Sequence, residues 1–244
     1  MIPILGVLTL WQALALAGWL PDYIVPPHVI VREMARLLAS GELLVHARDS
    51  LIRAYLGFVL GAGLGTILGL MAGTVRGVAS FLNPLVSLTY PIPKVAVLPL
   101  FVVWFGIGDT SKVMIILLAC FYPAFISALY GAGAVPPRYV WAARNTGAGR
   151  WRIFWRVIVP ASAGHWFAGL RIGLALAFVL LFAAEMVGAR SGLGFLIISA
   201  EASVRFDLMF VAIATIAILG FASDRLLEWV HRRLLHWEPE GERA

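Results

Sequence analysis

Residues 135–160 read VPPRYVWAARNTGAGRWRIFWRVIVP, a basic stretch set between two long apolar segments. Pro136 and Pro137 suit the first turn of a helix, where a missing N–H costs no hydrogen bond, and Gly147 suits the left-handed residue that ends one. That frames a short helix over about Arg138–Thr146. A second helix is expected over Arg150–Val159, with Arg150, Arg152 and Arg156 set among Ile153, Phe154, Val157 and Ile158, and Pro160 closing it. The local expectation is two amphipathic, cationic helices joined at a glycine elbow.

Outside this stretch the chain is overwhelmingly apolar. Of 244 residues, 61% are hydrophobic and 13% charged, with a mean hydropathy of +0.90, far beyond an ordinary soluble domain. The composition implies a polytopic membrane protein whose length suits one membrane domain. The net charge of +6 does not point to nucleic acid, because the arginines flank apolar segments, where membrane topology accounts for them. Cys120 is the single cysteine and lies in an apolar run, which leaves neither a disulfide framework nor a thiolate metal site. Residues 1–20 lack the basic start and the small-residue cleavage site of a removable signal, so they are expected to remain as a first span.

In chain order, Ile2–Leu20 is the first expected span, and Val29–Ala39 an amphipathic helix along the outer membrane face. The second span, Leu51–Val75, carries Gly57, Gly61, Gly65, Gly69 and Gly73 at four-residue intervals, and Gly77 continues the ladder. Small residues at that spacing share a helix face and let two backbones approach closely. The third span lies between Leu85 and Phe105 and is interrupted by Pro91, Pro93, Lys94 and Pro99. Broken helices at membrane depth are tolerated where a cavity or a neighbouring helix satisfies the freed backbone, so Pro91, Pro93 and Lys94 are candidate pathway residues. Lys94 can equally snorkel to water. Val113–Gly133, broken at Pro123, and Trp166–Val187 are the fourth and fifth spans. Glu185 at the end of the fifth is a further pathway candidate or a local partner of Arg190, ahead of a flexible turn containing Gly188, Ser191, Gly192 and Gly194. The sixth span begins at Asp207 and reaches Phe221 or a little beyond. Arginines near the spans favour the side holding Arg76, the 135–160 loop and the tail, which places that side in the cytoplasm.

Three features carry a resemblance. In the basic loop, Ala142-Ala143, three residues, Gly147, nine residues, then Val157-x-Val159-Pro160 is similar to the cytoplasmic loop of ABC importer permeases, E-A-A, three residues, G, nine residues, I-x-L-P. Trp141 stands at the glutamate position, and Val157 and Val159 replace isoleucine and leucine. The loop's composition alone would also suit an amphipathic pair resting on lipid headgroups; the fixed spacing favours the permease reading. The runs PIPKVAVLPLFVVWFGIG (residues 91–108) and EMVGARSGLGFLI (residues 185–197) resemble the sulfonate, taurine and nitrate branch of the same family.

The resemblance implies an all-α polytopic membrane bundle of about six transmembrane helices with the type I ABC importer permease fold. It implies residues 1–41 as first span and external helix, 42–229 as the permease domain with its coupling loop at 135–160, and 230–244 as a cytoplasmic tail. It implies an inner-membrane subunit that imports a small solute, a sulfonate, taurine or nitrate, or alternatively a vitamin precursor, beside an ABC ATPase, an extracytoplasmic solute-binding protein and a second copy of the chain. Ala142, Ala143, Gly147, Val157 and Pro160 are then the ATPase-coupling positions. No G-x-x-x-x-G-K-[ST] phosphate loop occurs, so this chain is expected to bind no cofactor, with ATP held by the partner. His28, His46, His165, His231 and His236 form no ligand-spaced pair, and no catalytic constellation is visible. A membrane enzyme would have to rest on Lys94 and Glu185 alone, and an ion-coupled transporter would show a repeat with paired broken helices, of which only one is visible.

Overall fold

The structure, a computed structural model, describes residues 2–235; His236 and the rest of the expected tail lie outside the described residues. Twelve helices follow one another, with no strand among the described residues: α1 (Ile2–Leu16), α2 (Pro27–Ala39), α3 (Glu42–Thr74), α4 (Arg76–Thr89), α5 (Lys94–Phe105), α6 (Asp109–Ala134), α7 (Pro137–Asn145), α8 (Arg150–Ile153), α9 (Val159–Ala161), α10 (Ala163–Met186), α11 (Leu193–Ala202) and α12 (Phe206–Leu234). Helices α3, α6, α10 and α12 are long and apolar enough to cross a membrane, and α4 with α5, bent by 100° between them, can make a fifth span. The expected count of six requires α1 as well. At 15 residues it reaches only about 22 Å at 1.5 Å per residue, short of a hydrocarbon core of about 30 Å.

The described residues form two compact units, 2–52 with 181–220, and 53–180 with 221–235. The first is cored by Ile30, Leu37, Leu43, Leu193, Leu196 and Val211, with Trp11, Met34 and Phe182 packed on them. Helix α2 is tied to the start of α12 by Glu33, which accepts from Arg36 Nε at 2.8 Å and from Arg205 at 2.7 Å.

In the second unit α3 and α6 lie at close range. A Cβ on Gly57 would stand 2.6 Å from the Ile116 side chain and one on Gly73 2.6 Å from Ala132 Cβ. On Gly61, Gly65 and Gly69 it would collide with the carbonyls of Leu117, Phe121 and Phe125. Gly63, off the stripe, and Gly77, beyond it, meet nothing within 4 Å. The paired positions rise together along both helices, so α3 and α6 run parallel, and residues 75–108 must carry the chain back between them. Helices α4 and α5 make that return. Ala72, Val86, Tyr122 and Phe125 join α3, α4 and α6 in a buried cluster.

Several expected breaks are continuous helix. Pro123 lies inside α6 and Pro99 inside α5; only residues 90–93 interrupt the third span. A proline removes one hydrogen bond, which a packed apolar helix can lose without ending. Pro160 does not stop its helix either. A π-helical turn, Phe154–Ile158, precedes it, widening the backbone where the proline ring would otherwise crowd the carbonyl four residues back, and the helix passes on through Ala161. At the other end, α12 runs past the boundary expected at residue 230.

Candidate functional site

The 135–160 segment is built by local rules. Pro137 occupies the first turn of α7, and Gly147 ends it at φ +77°. Gly147 N–H donates to Arg144 O at 2.9 Å and Ala148 N–H to Ala143 O at 3.1 Å, the paired 5→2 and 6→1 bonds that close a helix on a left-handed glycine. A side chain at Gly147 would have open space but the wrong backbone angle. Ala142 is exposed and Ala143 half-buried, while Trp141, Trp151 and Trp155 lie 51–73% exposed. Val157 and Pro160 are half-buried, and Phe154, Ile158 and Val159 pack on Leu70, Ala128 and Ala132. One face of the two-helix loop is therefore anchored to α3 and α6, and small and aromatic side chains remain on its surface.

The broken third span turns at Pro91 and Pro93, both exposed. Lys94 is held at the turn. Its Nζ donates to Thr89 O at 3.3 Å, to Ile92 O at 2.9 Å and to Tyr90 O, and it stands 4.2 Å from the Tyr122 ring centroid. The ammonium thus caps the carbonyls at the C-terminal end of α4, where the helix dipole is negative, and does not reach outward as a snorkelling lysine would. Beside this bend a cavity of about 710 Å³ is lined by Asn83, Ser87, Tyr90, Phe125 and Tyr130 among others. Asn83 Oδ1 is buried there without a hydrogen-bond partner.

Glu185 belongs to the first unit, 1% exposed. Ser50 Oγ donates to its two oxygens at 2.9 and 2.8 Å, and Gly194 N–H donates to it at 2.9 Å. Ser50 Oγ also accepts from Leu193 N–H at 2.8 Å. Glu185 and Ser50 together satisfy the first N–H groups of α11, donors that no intrahelical carbonyl can reach, and the carboxylate sits at the positive end of that helix. Neither of the two roles expected for Glu185 describes this placement; Arg190 is exposed. The turn before α11, expected to be flexible, is pinned. Gly192 N–H donates to His46 Nδ1 at 3.0 Å, and Ser191 Oγ donates to Asp49 at 2.6 Å. Gly192 itself has φ +116°, and a Cβ there would land on the Glu185 carboxylate. His46, Asp49 and Ser50 had no signal in the sequence; their one-helix spacing says nothing about a carboxylate 135 residues away. Among the described residues no group of histidine, cysteine, aspartate and glutamate could hold a metal ion.

Residues 65–236 match the family described as binding-protein-dependent transport system inner membrane component. The chain is similar to the taurine transport system permease protein of Escherichia coli, 36% identical over 239 residues, covering 96% of this chain and 87% of that protein. It is also similar to a protein of Bacillus subtilis named as an aliphatic sulfonates transport permease protein, 33% identical over 237 residues, covering 97% of this chain and 86% of that one. Among solved structures, the MetNI methionine ABC transporter in an inward-facing form matches with a TM-score of 0.55 at 19% identity, covering 85% of this chain and 97% of that chain. That likeness supports the fold. With family, relatives and fold in agreement, the chain belongs to the inner-membrane components of binding-protein-dependent transport systems, as a multi-pass permease subunit of an ABC importer in the cell inner membrane.

Proposed function

We propose that this permease passes a small sulfonate, taurine or a related alkanesulfonate, and that the 135–160 loop is its coupling element to an ABC ATPase. The observation that carries the substrate class is the similarity across nearly the whole chain to permeases named for taurine and aliphatic sulfonates. The cavity at the bend agrees with it in chemistry. Asn83, Ser87, Tyr90 and Tyr130 can all donate hydrogen bonds, and a sulfonate offers only acceptors. Pro91, Pro93 and Lys94 shape the bend beside that cavity, with Lys94 holding the turn and not touching the solute.

For the loop, the supporting geometry is the fixed elbow at Gly147 and the exposed Ala142. Small residues on a rigid two-helix element suit a groove on a partner, and anchoring by Phe154, Ile158 and Val159 would carry the partner's movement into α3 and α6. The partners of this reading are an ATPase that holds ATP, an extracytoplasmic solute-binding protein and a second copy of the chain; this chain itself binds no cofactor.

The test is ATP-driven uptake of labelled taurine into vesicles carrying the permease, its ATPase and its binding protein. Saturable uptake that taurine and alkanesulfonates compete for is expected. Uptake of a vitamin precursor that sulfonates do not inhibit would overturn the substrate class and leave the family unchanged.

A further inference from the structure

Next to the loop, within the second unit, lies a cavity of about 750 Å³. One wall is the inner end of α3, from Thr66 through Ile67, Leu70 and Met71 to Thr74, a run of about 12 Å along the helix axis. Phe154 and Ile158, which pack on Leu70, line the cavity too, as do Trp151, Trp155 and Trp166. Arg76, Arg144 and Arg150, from the start of α4, the last turn of α7 and the start of α8, line it as well. Among the described residues none of these three arginines meets a carboxylate, and the same holds for Arg138, Arg152 and Arg156 of the same loop, whereas Arg36, Arg53, Arg171, Arg205, Arg225 and Arg232 all do.

We propose that this groove is a binding site for an anionic phospholipid, its phosphate held by Arg76, Arg144 and Arg150 and one acyl chain laid along Ile67, Leu70, Met71, Phe154 and Ile158. The apolar wall belongs to α3, a helix long and apolar enough to cross a membrane, and α3 ends two residues before Arg76, so the proposed groove is charged at headgroup level and apolar at acyl level. Only an amphiphile with an anionic end matches both parts. Guanidinium groups bind phosphate oxygens through paired N–H donors, and tryptophans at this level suit the membrane–water interface. Basic pockets beside transmembrane helices are a recurring form of headgroup recognition. Because Arg144 and Arg150 lie on opposite sides of the Gly147 elbow, one bound phosphate would bridge α7 and α8 and brace the angle between them.

The experiment is native mass spectrometry of the detergent-purified full chain, titrated with phosphatidylglycerol or with phosphatidylcholine of identical acyl composition. Three arginines near a headgroup should favour phosphatidylglycerol by at least about tenfold. The triple variant Arg76→Gln, Arg144→Gln, Arg150→Gln should lose that preference, and Arg76→Lys, Arg144→Lys, Arg150→Lys should retain part of it with the same elution volume and melting temperature. Equal binding of the two lipids, or a preference that survives the glutamine substitutions, overturns the proposal. So does displacement of phosphatidylglycerol by the ATPase subunit, which would make the groove a protein contact, or a dimer that the glutamine variant loses with lipid binding unchanged, which would make it a contact between copies.

Discussion

Adding one methyl group at Gly61 should destabilise the protein, while the same methyl two residues later at Gly63 should not. Both positions lie in α3, so the helix, the substitution and the membrane depth are nearly the same. On Gly61 the new Cβ would collide with Leu117 O of α6, and backbone cannot yield as a side-chain end can; on Gly63 it meets nothing within 4 Å. Overfilling a packed contact costs about 1–3 kcal/mol, because α3 and α6 must move apart along a seam that continues through Gly57, Gly65, Gly69 and Gly73. Alanine at Gly63 is neutral or gains up to about 1 kcal/mol of helix propensity. The expected gap between Gly61→Ala and Gly63→Ala is therefore about 1–4 kcal/mol. Reversible unfolding of the purified chain in mixed micelles, followed by helix signal against denaturing detergent, measures it. If the two variants agree within about 0.5 kcal/mol, the ordinary scatter of surface substitutions, the close approach of α3 and α6 is not what holds this unit together.

Ser50→Ala should cost about 2–4 kcal/mol, because it removes a bond to a carboxylate and leaves the Leu193 N–H without its acceptor; Ser50→Thr, which keeps the hydroxyl, should recover part of this in the same unfolding assay, and equal loss in both variants would point to packing. Glu33 carries the pH dependence that the structure makes legible. The Arg36 hydrogen bond, assisted by Arg205, holds its carboxyl below its ordinary value of 4.5. A depressed folded-state value means that the stabilisation is complete above 4.5 and fades as pH falls through the lower value. The melting temperature of wild type should exceed that of Glu33→Gln at neutral pH and converge with it in acid; a constant difference at every pH would exclude the ion pairs as its source. Finally, Gly147→Val should insert and fold yet lose taurine uptake, since a β-branched residue is disfavoured at φ +77°, and Ala143→Asp should weaken co-sedimentation of the ATPase. Wild-type transport by both would remove the loop from coupling.

What the sequence determined by itself was whatever local rules control. The apolar composition required membrane helices, the prolines and Gly147 drew the two-helix loop, and the four-residue glycine spacing marked one face of α3. Each of these depends on residues within a few turns of one another, and the family spacing in the loop added the identity of the whole. Tertiary structure decided the rest. The glycine face says that something approaches closely, but that it is α6, running parallel, follows from how residues 75–108 return. Pro99, Pro123 and Pro160 look alike in the sequence to the prolines at the true break, because a lost N–H is local while its compensation by neighbouring helices or a π turn is not. Glu185 shows the limit most clearly. Its carboxylate caps α11 with Ser50, from the other end of the chain, and a buried charge is defined by the partners that folding brings to it, which no run of consecutive residues contains.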